Sequence, residues 1–285
     1  MDYRLLAPTK AITYTARDGV DIRAYLTLPR GRGDGNFPLI LLPHGGPFGI
    51  RDELRYNDEV QLLANRGYAV LQPNFRGSGG YGDTFFELGV GQVGRDMQDD
   101  LDDAMDWAVA GGIADPARVC VVGGSYGGYA AMWAILRNPE RYRCAASWAG
   151  VTDWDKMLKY DKKFLSRKDN REWRRKIEGE DRKSKDIDEV SPYRQAELLS
   201  RPLLLAHGTA DRRVPISQYE RMLKAAEDRS ELVTTLKIEG EGHSFSTKVN
   251  EQKWFDALDK FLAEHNPTDM SEEVLRRGKE AALSD

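Results

Sequence analysis

The sequence predicts an α/β fold, with a mainly parallel central sheet, helices on both faces and an N-terminal β-hairpin. Three observations carry this reading. Short continuous apolar runs at 39–42, 68–71, 119–122, 144–148 and 202–206 have the pattern of strands buried on both faces. Segments with apolar residues at helical spacing lie between them, and such alternation implies parallel pairing with right-handed crossovers. The strand-like runs end in loops rich in glycine, where open parallel sheets place their ligands. A chain of 285 residues can bury a large core, and α/β folds of this length are commonly one domain.

The elements follow in chain order. Residues 11–28 hold two short strands around Asp18-Gly19, and a D-G turn between alternating runs signals a hairpin. The loop after it, P-R-G-R-G-D-G-N-F-P, is expected to be exposed. Leu39–Leu42 is the first buried strand and runs into His44-Gly45-Gly46-Pro47. Residues 57–66 are predicted helical up to Gly67, and Tyr68–Leu71 is the next strand. The loop N-F-R-G-S-G-G-Y-G at 74–82 lacks the lysine of a phosphate-binding loop. Val93, Met97, Leu101, Met105 and Ala108 then share one helical face. Asp96, Asp99 and Asp100 lie early in this helix, where its dipole favours them. Their face is expected to be solvated rather than to hold a metal. Ala114-Asp115-Pro116 is expected to end the segment before the next strand begins.

That strand leads into G-G-S-Y-G-G-Y at 123–129. Gly123, Ser125 and Gly127 fit G-x-S-x-G between a strand and an Ala-rich helix, the context of the nucleophile elbow of an α/β-hydrolase. The tight turn lifts the serine hydroxyl above the sheet edge. Flanking glycines let backbone and helix pass where a Cβ would clash. The helix starts at the nucleophile, so its free N–H groups face any negative charge that develops there. In such a fold the Gly45-Gly46 loop supplies a second oxyanion donor beside the N–H of Tyr126.

Cys144–Trp148 is the following strand. From Asp155 to Glu189, 23 of 35 residues are charged, 13 basic and 10 acidic, so the segment is no clean basic patch. With sparse apolars at Trp154, Tyr160, Phe164 and Trp173, 155–190 reads either as a lid-like insertion or as a solvated surface excursion. Pro202–Ala206 restores the strand pattern and leads into Asp211. Ile216, Tyr219, Met222, Leu223 and Ala226 form a helical face. Leu232–Ile238 is the last strand and runs to His243. A helix with Trp254, Leu258, Phe261 and Leu262 inward closes the domain at 266, and 267–285 reads as a polar tail.

Ser125, Asp211 and His243 each follow a predicted strand, in the order Ser, Asp, His of α/β-hydrolases. The chemistry assigns the roles. A serine hydroxyl is a poor nucleophile until a base takes its proton. His243 is that base, and Asp211 orients it and stabilises its charged form. His44 is expected to support the oxyanion loop, and His207 lies too close in sequence to Asp211 to be its partner. Asp153 also follows a strand and is the less usual acid.

Composition narrows the partners. A net charge of -4 gives no footing for nucleic acid. No apolar run approaches the ~18 residues of a membrane helix. The N-terminal segment lacks a signal-peptide core, so a cytoplasmic location is expected. Cys120 and Cys144 are then expected as buried thiols; a disulfide between neighbouring strands stays open, but that compartment argues against it. The histidines at 44, 207, 243 and 265 are scattered, and neither a metal nor a cofactor is expected.

With these motifs in hand, the chain resembles the catalytic domain of the prolyl oligopeptidase family of serine peptidases, nearest its acylaminoacyl-peptidase and dipeptidyl-peptidase-like branch. The matching residues are Y-T-A-R-D-G at 14–19, H-G-G-P at 44–47, the loop at 74–82, the elbow at 123–129, H-G-x-x-D-x-x-V-P at 207–215 and G-E-G-H at 240–243. The resemblance implies Ser125, Asp211 and His243 as triad, Gly46 and Tyr126 as oxyanion donors, and hydrolysis of amide bonds in short or N-acylated peptides. A carboxylesterase acting on small esters would need the same parts. A non-catalytic binding module is the third reading, which the complete triad opposes. Family members usually carry an N-terminal β-propeller that this sequence does not contain. A fragment or a stand-alone hydrolase is expected accordingly, with a homo-oligomer as one way to cover the surface a propeller would meet.

Overall fold

The structure, a computed structural model, describes residues 6–31, 33, 35–180 and 184–269. The hairpin is β1 (Thr9–Thr15) and β2 (Asp21–Thr27), antiparallel from Thr9↔Thr27 to Thr15↔Asp21. Then come β3 (Phe37–Leu41), β4 (Ala69–Asn74), β5 (Ala114–Gly124), β6 (Cys144–Trp148), β7 (Leu203–Gly208) and β8 (Val233–Ile238). They form one sheet in the order β1-β2-β4-β3-β5-β6-β7-β8. The hairpin joins through the antiparallel β2/β4 pair, and every pair from β4 onward is parallel.

Strand period and helix placement account for the core. Leu39 and Leu41 point to one face of the sheet, with Val119 and Val121; Ile40 and Leu42 point to the other, with Cys120 and Val122. The first face packs α3 (Asp96–Ala110), α4 (Tyr126–Arg137) and α7 (Ser217–Ala225). The second packs α1 (Asp58–Asn65) and α8 (Lys248–His265) through Val60, Leu63, Trp254 and Phe261. Strands buried from both sides have no polar face to show, which is why they appear in the sequence as unbroken apolar runs. Asn57 caps α1 by accepting from the Val60 N–H, and Thr247 caps α8 in the same way through Asn250.

The charged insertion folds as two helices, α5 (Trp154–Asp161) and α6 (Arg167–Glu178), and a 3-10 segment Ser184–Val190. Its residues 181–183, and all but three residues of the expected polar tail, lie outside the described residues. No helix among the described residues is long and apolar enough to cross a membrane.

Three expectations are corrected. Residues 114–116 open β5 instead of closing the helical segment before it: Phe37 pairs with Ala114 ahead of the bulge that separates it from Leu39. Cys120 and Cys144 are not thiols. They face each other in register on the parallel pair β5/β6, Cα atoms 4.8 Å apart, and are joined by a disulfide. The acidic run of α3 is a solvated face only in part: the Asp96 and Asp106 side chains are exposed, but others turn inward. Asp100 is fully buried, and Asp102 and Asp103 nearly so. Arg76, itself buried, donates to Asp100 through Nε at 2.9 Å, Nη2 at 2.7 Å and its backbone N–H at 2.8 Å. Its Nη1 reaches Asp18 at 2.8 Å in the hairpin turn. Arg17 binds Asp103 twice, and Asp102 accepts from Tyr142 and Asn138. The short helix α2 (Asp83–Glu87) carries no buried residue, hence no apolar stripe by which to predict it.

Arg76 thus ties the hairpin, the 74–82 loop and α3 into one charged knot. Removing one partner of a buried, hydrogen-bonded pair leaves the other uncompensated, at a cost of about 3–5 kcal/mol. Arg76→Met is expected to lose stability on that scale in urea unfolding. A change below about 1 kcal/mol would mean that water reaches Asp100.

Candidate active site

The elbow forms where β5 meets α4. Ser125 has φ 59° and ψ -121°, a left-handed conformation that a non-glycine residue adopts only under constraint. Its N–H donates to the Trp148 carbonyl at 2.8 Å, and its carbonyl accepts from Tyr129. The glycines are steric requirements. A Cβ on Gly127 would stand 2.1 Å from the Pro43 carbonyl oxygen, and one on Gly123 would stand 2.5 Å from the Gly127 carbonyl carbon. The amide of Tyr126 heads α4 beside the serine.

The second loop presses on the same point. A Cβ on Gly45 would be 3.3 Å from the Ser125 Cβ. Gly46 has φ 123°, is joined to Pro47 by a cis peptide bond, and borders the cavity in front of Ser125. His44 acts from behind, as expected. Its ring stacks on Phe75 at 4.4 Å, and Nε2 meets Ser78 Oγ at 2.8 Å. Burial pushes its pKa down to about 4, so it is neutral at pH 7. The glycine-rich 74–82 loop has a structural use here. The N–H of Gly79 donates to the Ile50 carbonyl and that of Gly49 to the Gly77 carbonyl, so the loop buttresses the segment that follows Gly45-Gly46.

Asp211 lies just past β7 and His243 just past β8. His243 Nδ1 is 2.7 Å from Asp211 Oδ2, and the Asp211 side chain is fully buried. Burial raises the Asp211 carboxyl, but hydrogen bonds from His207 and His243, the charge of His243 and the Val214 N–H outweigh it and hold the pKa well below the usual range. Asp211 Oδ1 accepts from the N–H groups of Arg213 and Val214 at 2.7 and 3.0 Å. His207, fully buried, places Nε2 2.9 Å from the Val214 carbonyl and 3.5 Å from Asp211 Oδ2. It packs beside Asp211 and stands apart from the position of His243. Asp153 caps α5 by accepting from the Lys156 N–H and contacts Arg221 at 3.8 Å; it is not part of this cluster.

Two positioning residues were not predicted. Glu241 is fully buried and accepts from the N–H groups of Gly242 and Ser246 and from Asn250 Nδ2, pinning both sides of His243. Trp148 donates from Nε1 to the His243 carbonyl at 2.9 Å. The G-E-G-H motif contained Glu241, but only the folded loop shows what its carboxylate holds.

Ser125 and His243 border two depressions. The larger, about 560 Å³, is walled by Tyr126, Val151, Trp154, Met157, Tyr160 and Trp173, so α5 and α6 of the insertion form one side of it. The smaller, about 420 Å³, lies on the Trp148 and Phe245 side. Among the described residues no three His, Cys, Asp or Glu side chains group as a metal site.

Sheet order, elbow and the Asp211–His243 pair define an α/β-hydrolase with a serine at its elbow. More narrowly, the chain belongs to the prolyl oligopeptidase family, whose family model matches residues 54–267. Dipeptidyl aminopeptidase BIII of Pseudoxanthomonas mexicana is 35% identical over 270 residues, which cover 91% of this chain and 39% of that protein. The acylamino-acid-releasing enzyme of Sus scrofa is 30% identical over 244 residues, 78% of this chain and 31% of that one. A puromycin-hydrolyzing peptidase of Mycobacterium tuberculosis superposes with a TM-score of 0.84 at 28% identity, over 93% of this chain and 40% of that one. The chain therefore spans well under half the length of these relatives.

Gly127→Ala is expected to destabilise the fold by about 1–3 kcal/mol or more. It should also slow fluorophosphonate labelling of Ser125 at least about tenfold, since small misplacements of reacting groups are costly. Unchanged labelling would show that the elbow relaxes freely. Asp211 gives a pH signature. Its folded pKa lies below the unfolded value, so its contribution is present above about pH 4 and is lost as the pH falls below that. Asp211→Asn should flatten the acid limb of stability against pH, measured by denaturant unfolding from pH 2 to 7. An unaltered acid limb would contradict this.

Proposed function

We propose that this chain is the hydrolytic domain of a serine peptidase that cleaves amide bonds of short or N-acylated peptides through an acyl-enzyme. The observation that carries the reading is the His243 Nδ1 to Asp211 Oδ2 bond at 2.7 Å, with His243 bordering the same cavity as Ser125. With Nδ1 engaged, Nε2 remains as the proton acceptor. Ser125 Oγ attacks the carbonyl carbon while His243 Nε2 takes its proton. The N–H groups of Tyr126 and Gly46 receive the oxyanion, and each such donor contributes about 10²–10³ in rate in comparable enzymes. The tetrahedral adduct collapses as His243 protonates the departing amine nitrogen. Water, deprotonated by His243 Nε2, then attacks the acyl carbon, and the imidazolium returns the proton to Ser125 Oγ as the acyl–oxygen bond breaks. Asp211 stays ionised and stabilises the imidazolium at both steps.

The named relatives are peptidases, which favours amides over the esters that the same triad could hydrolyse. We also infer that α5 and α6 work as a lid-like wall that shapes the acyl pocket. The proposed partners are a short peptide and, because the relatives are much longer, either a further domain or a second copy of the chain over exposed Ile50, Leu54 and Tyr56. A cytoplasmic location is part of this proposal. The Cys120–Cys144 disulfide counts against it, since cytosolic thiols are kept reduced.

Ser125→Ala and His243→Ala should each lower amide turnover by at least about 10³. Steady-state rates on matched aminoacyl and acyl-aminoacyl anilides and esters provide the check. Brisk ester cleavage with no amide cleavage would replace the peptidase reading by an esterase. Near-normal rates in His243→Ala would mean that the base is misassigned.

A further inference from the structure

Apart from His243, the charged side chains that line the larger cavity are Arg212, Arg213 and Asp161. Arg212 and Arg213 are exposed. Asp161 is half-buried and closes α5, where the negative end of the helix dipole disfavours a carboxylate. Trp173 Nε1 donates to its Oδ2 at 2.9 Å and fixes its orientation. Among the described residues no lysine or arginine lies within 4.0 Å of this carboxylate.

In the same insertion Asp155 pairs with Lys159 at 2.7 Å, Glu172 pairs with Arg175 at 3.0 Å, and Glu178 with Arg174. Lys163, two residues away, holds its ammonium 5.4 Å from the centroid of the Tyr160 ring. Tyr160 is itself tethered, its hydroxyl donating to the Arg212 carbonyl at 2.9 Å. The carboxylate therefore stands beside Tyr160, Phe164 and Trp173, whose ring faces also attract cations. Burial of Asp161 raises its pKa, the penalty of a carboxylate that lacks a counter-charge. A cation entering the cavity would supply one.

We propose that Asp161 is a specificity residue that receives a positively charged group of the substrate, an ammonium or guanidinium, in this cavity. This deepens the peptidase reading and rests on it for the cavity's being the substrate site. The cation can come from a lysine or arginine side chain or from a free α-amine, and the substrate arms separate the two.

The test compares kcat/KM for paired anilides in the wild type and in Asp161→Asn, which keeps an acceptor for Trp173. N-acetyl-lysyl against N-acetyl-norleucyl reads the side chain. Norleucyl against N-acetyl-norleucyl reads the α-amine at the cleaved residue, and glycyl-norleucyl against its N-acetyl form reads it one residue further out. The wild type is expected to prefer the cationic member of at least one pair. Asp161→Asn is expected to lower that ratio at least about tenfold, the scale of one charge-assisted hydrogen bond. Asp161→Glu should retain most of it. The same pairs, as primary amides, can be titrated by tryptophan fluorescence onto Ser125→Ala, since Trp154 and Trp173 line the cavity. If no anilide is turned over while the binding preference persists, the peptidase reading fails and this one stands. Equal treatment of cationic and neutral members by the wild type, or an unchanged ratio in Asp161→Asn, overturns the proposal.

Discussion

Around Gly127 the chain leaves no room for a single carbon atom. The Pro43 carbonyl, the Gly123 segment and the start of α4 approach so closely that a Cβ on Gly127 would lie 2.1 Å from backbone oxygen. The same crowding recurs one layer out, where a Cβ on Gly128 would lie 2.7 Å from Ser147 Oγ and one on Gly150 would lie 2.4 Å from that atom. Three segments from distant parts of the sequence, 43–45, 123–128 and 147–150, thus meet in close contact. This contact fixes the Gly45-Gly46 loop against Ser125, because Gly45 rests directly on it. It also explains how Ser125 is held at φ 59°. The strain of one residue is sustained by packing that admits no alternative.

Electrostatics is arranged around that steric centre in separate clusters. Arg76 and Asp100 connect the 74–82 loop and α3 to the hairpin. Glu241 sits under the histidine loop and fixes it through backbone N–H groups on both sides of His243. Asp211 is divided between two tasks, with Oδ1 on the backbone of its own loop and Oδ2 on His243. Each loop that bears a reacting group is therefore tied to a buried carboxylate or to a backbone contact. None depends on a long exposed side chain for its position.

Much of this was legible from residue order. Strands buried on both faces gave unbroken apolar runs, and the turns that lift Ser125, Asp211 and His243 carried glycines or fell after such runs. What escaped was information about partners. Asp96, Asp99 and Asp100 read as solvent-facing because nothing in α3 shows that Arg76 and Arg17 reach them from elsewhere. Cys120 and Cys144 read as thiols because the expected compartment argues against a disulfide, and sequence pattern does not give the strand register that sets them opposite each other. The insertion was left open between lid and surface because its apolar residues are few. Folding gathers Trp154, Met157, Tyr160 and Trp173 on the cavity side, where they form a wall that their spacing did not reveal.

The bond between Cys120 and Cys144 has a topological side. It joins residues 24 positions apart, and the segment between them contains the elbow, Ser125 and all of α4. Ser125 therefore sits inside a covalent ring. In the chain-entropy view, closing a loop of this size removes about 3–4 kcal/mol of freedom from the denatured ensemble. The restriction falls on the part of the chain that must be threaded most tightly between Pro43 and Ser147. A single backbone cut within the ring would leave both pieces bonded, so the segment bearing Ser125 could be severed from its neighbours in sequence without leaving the molecule.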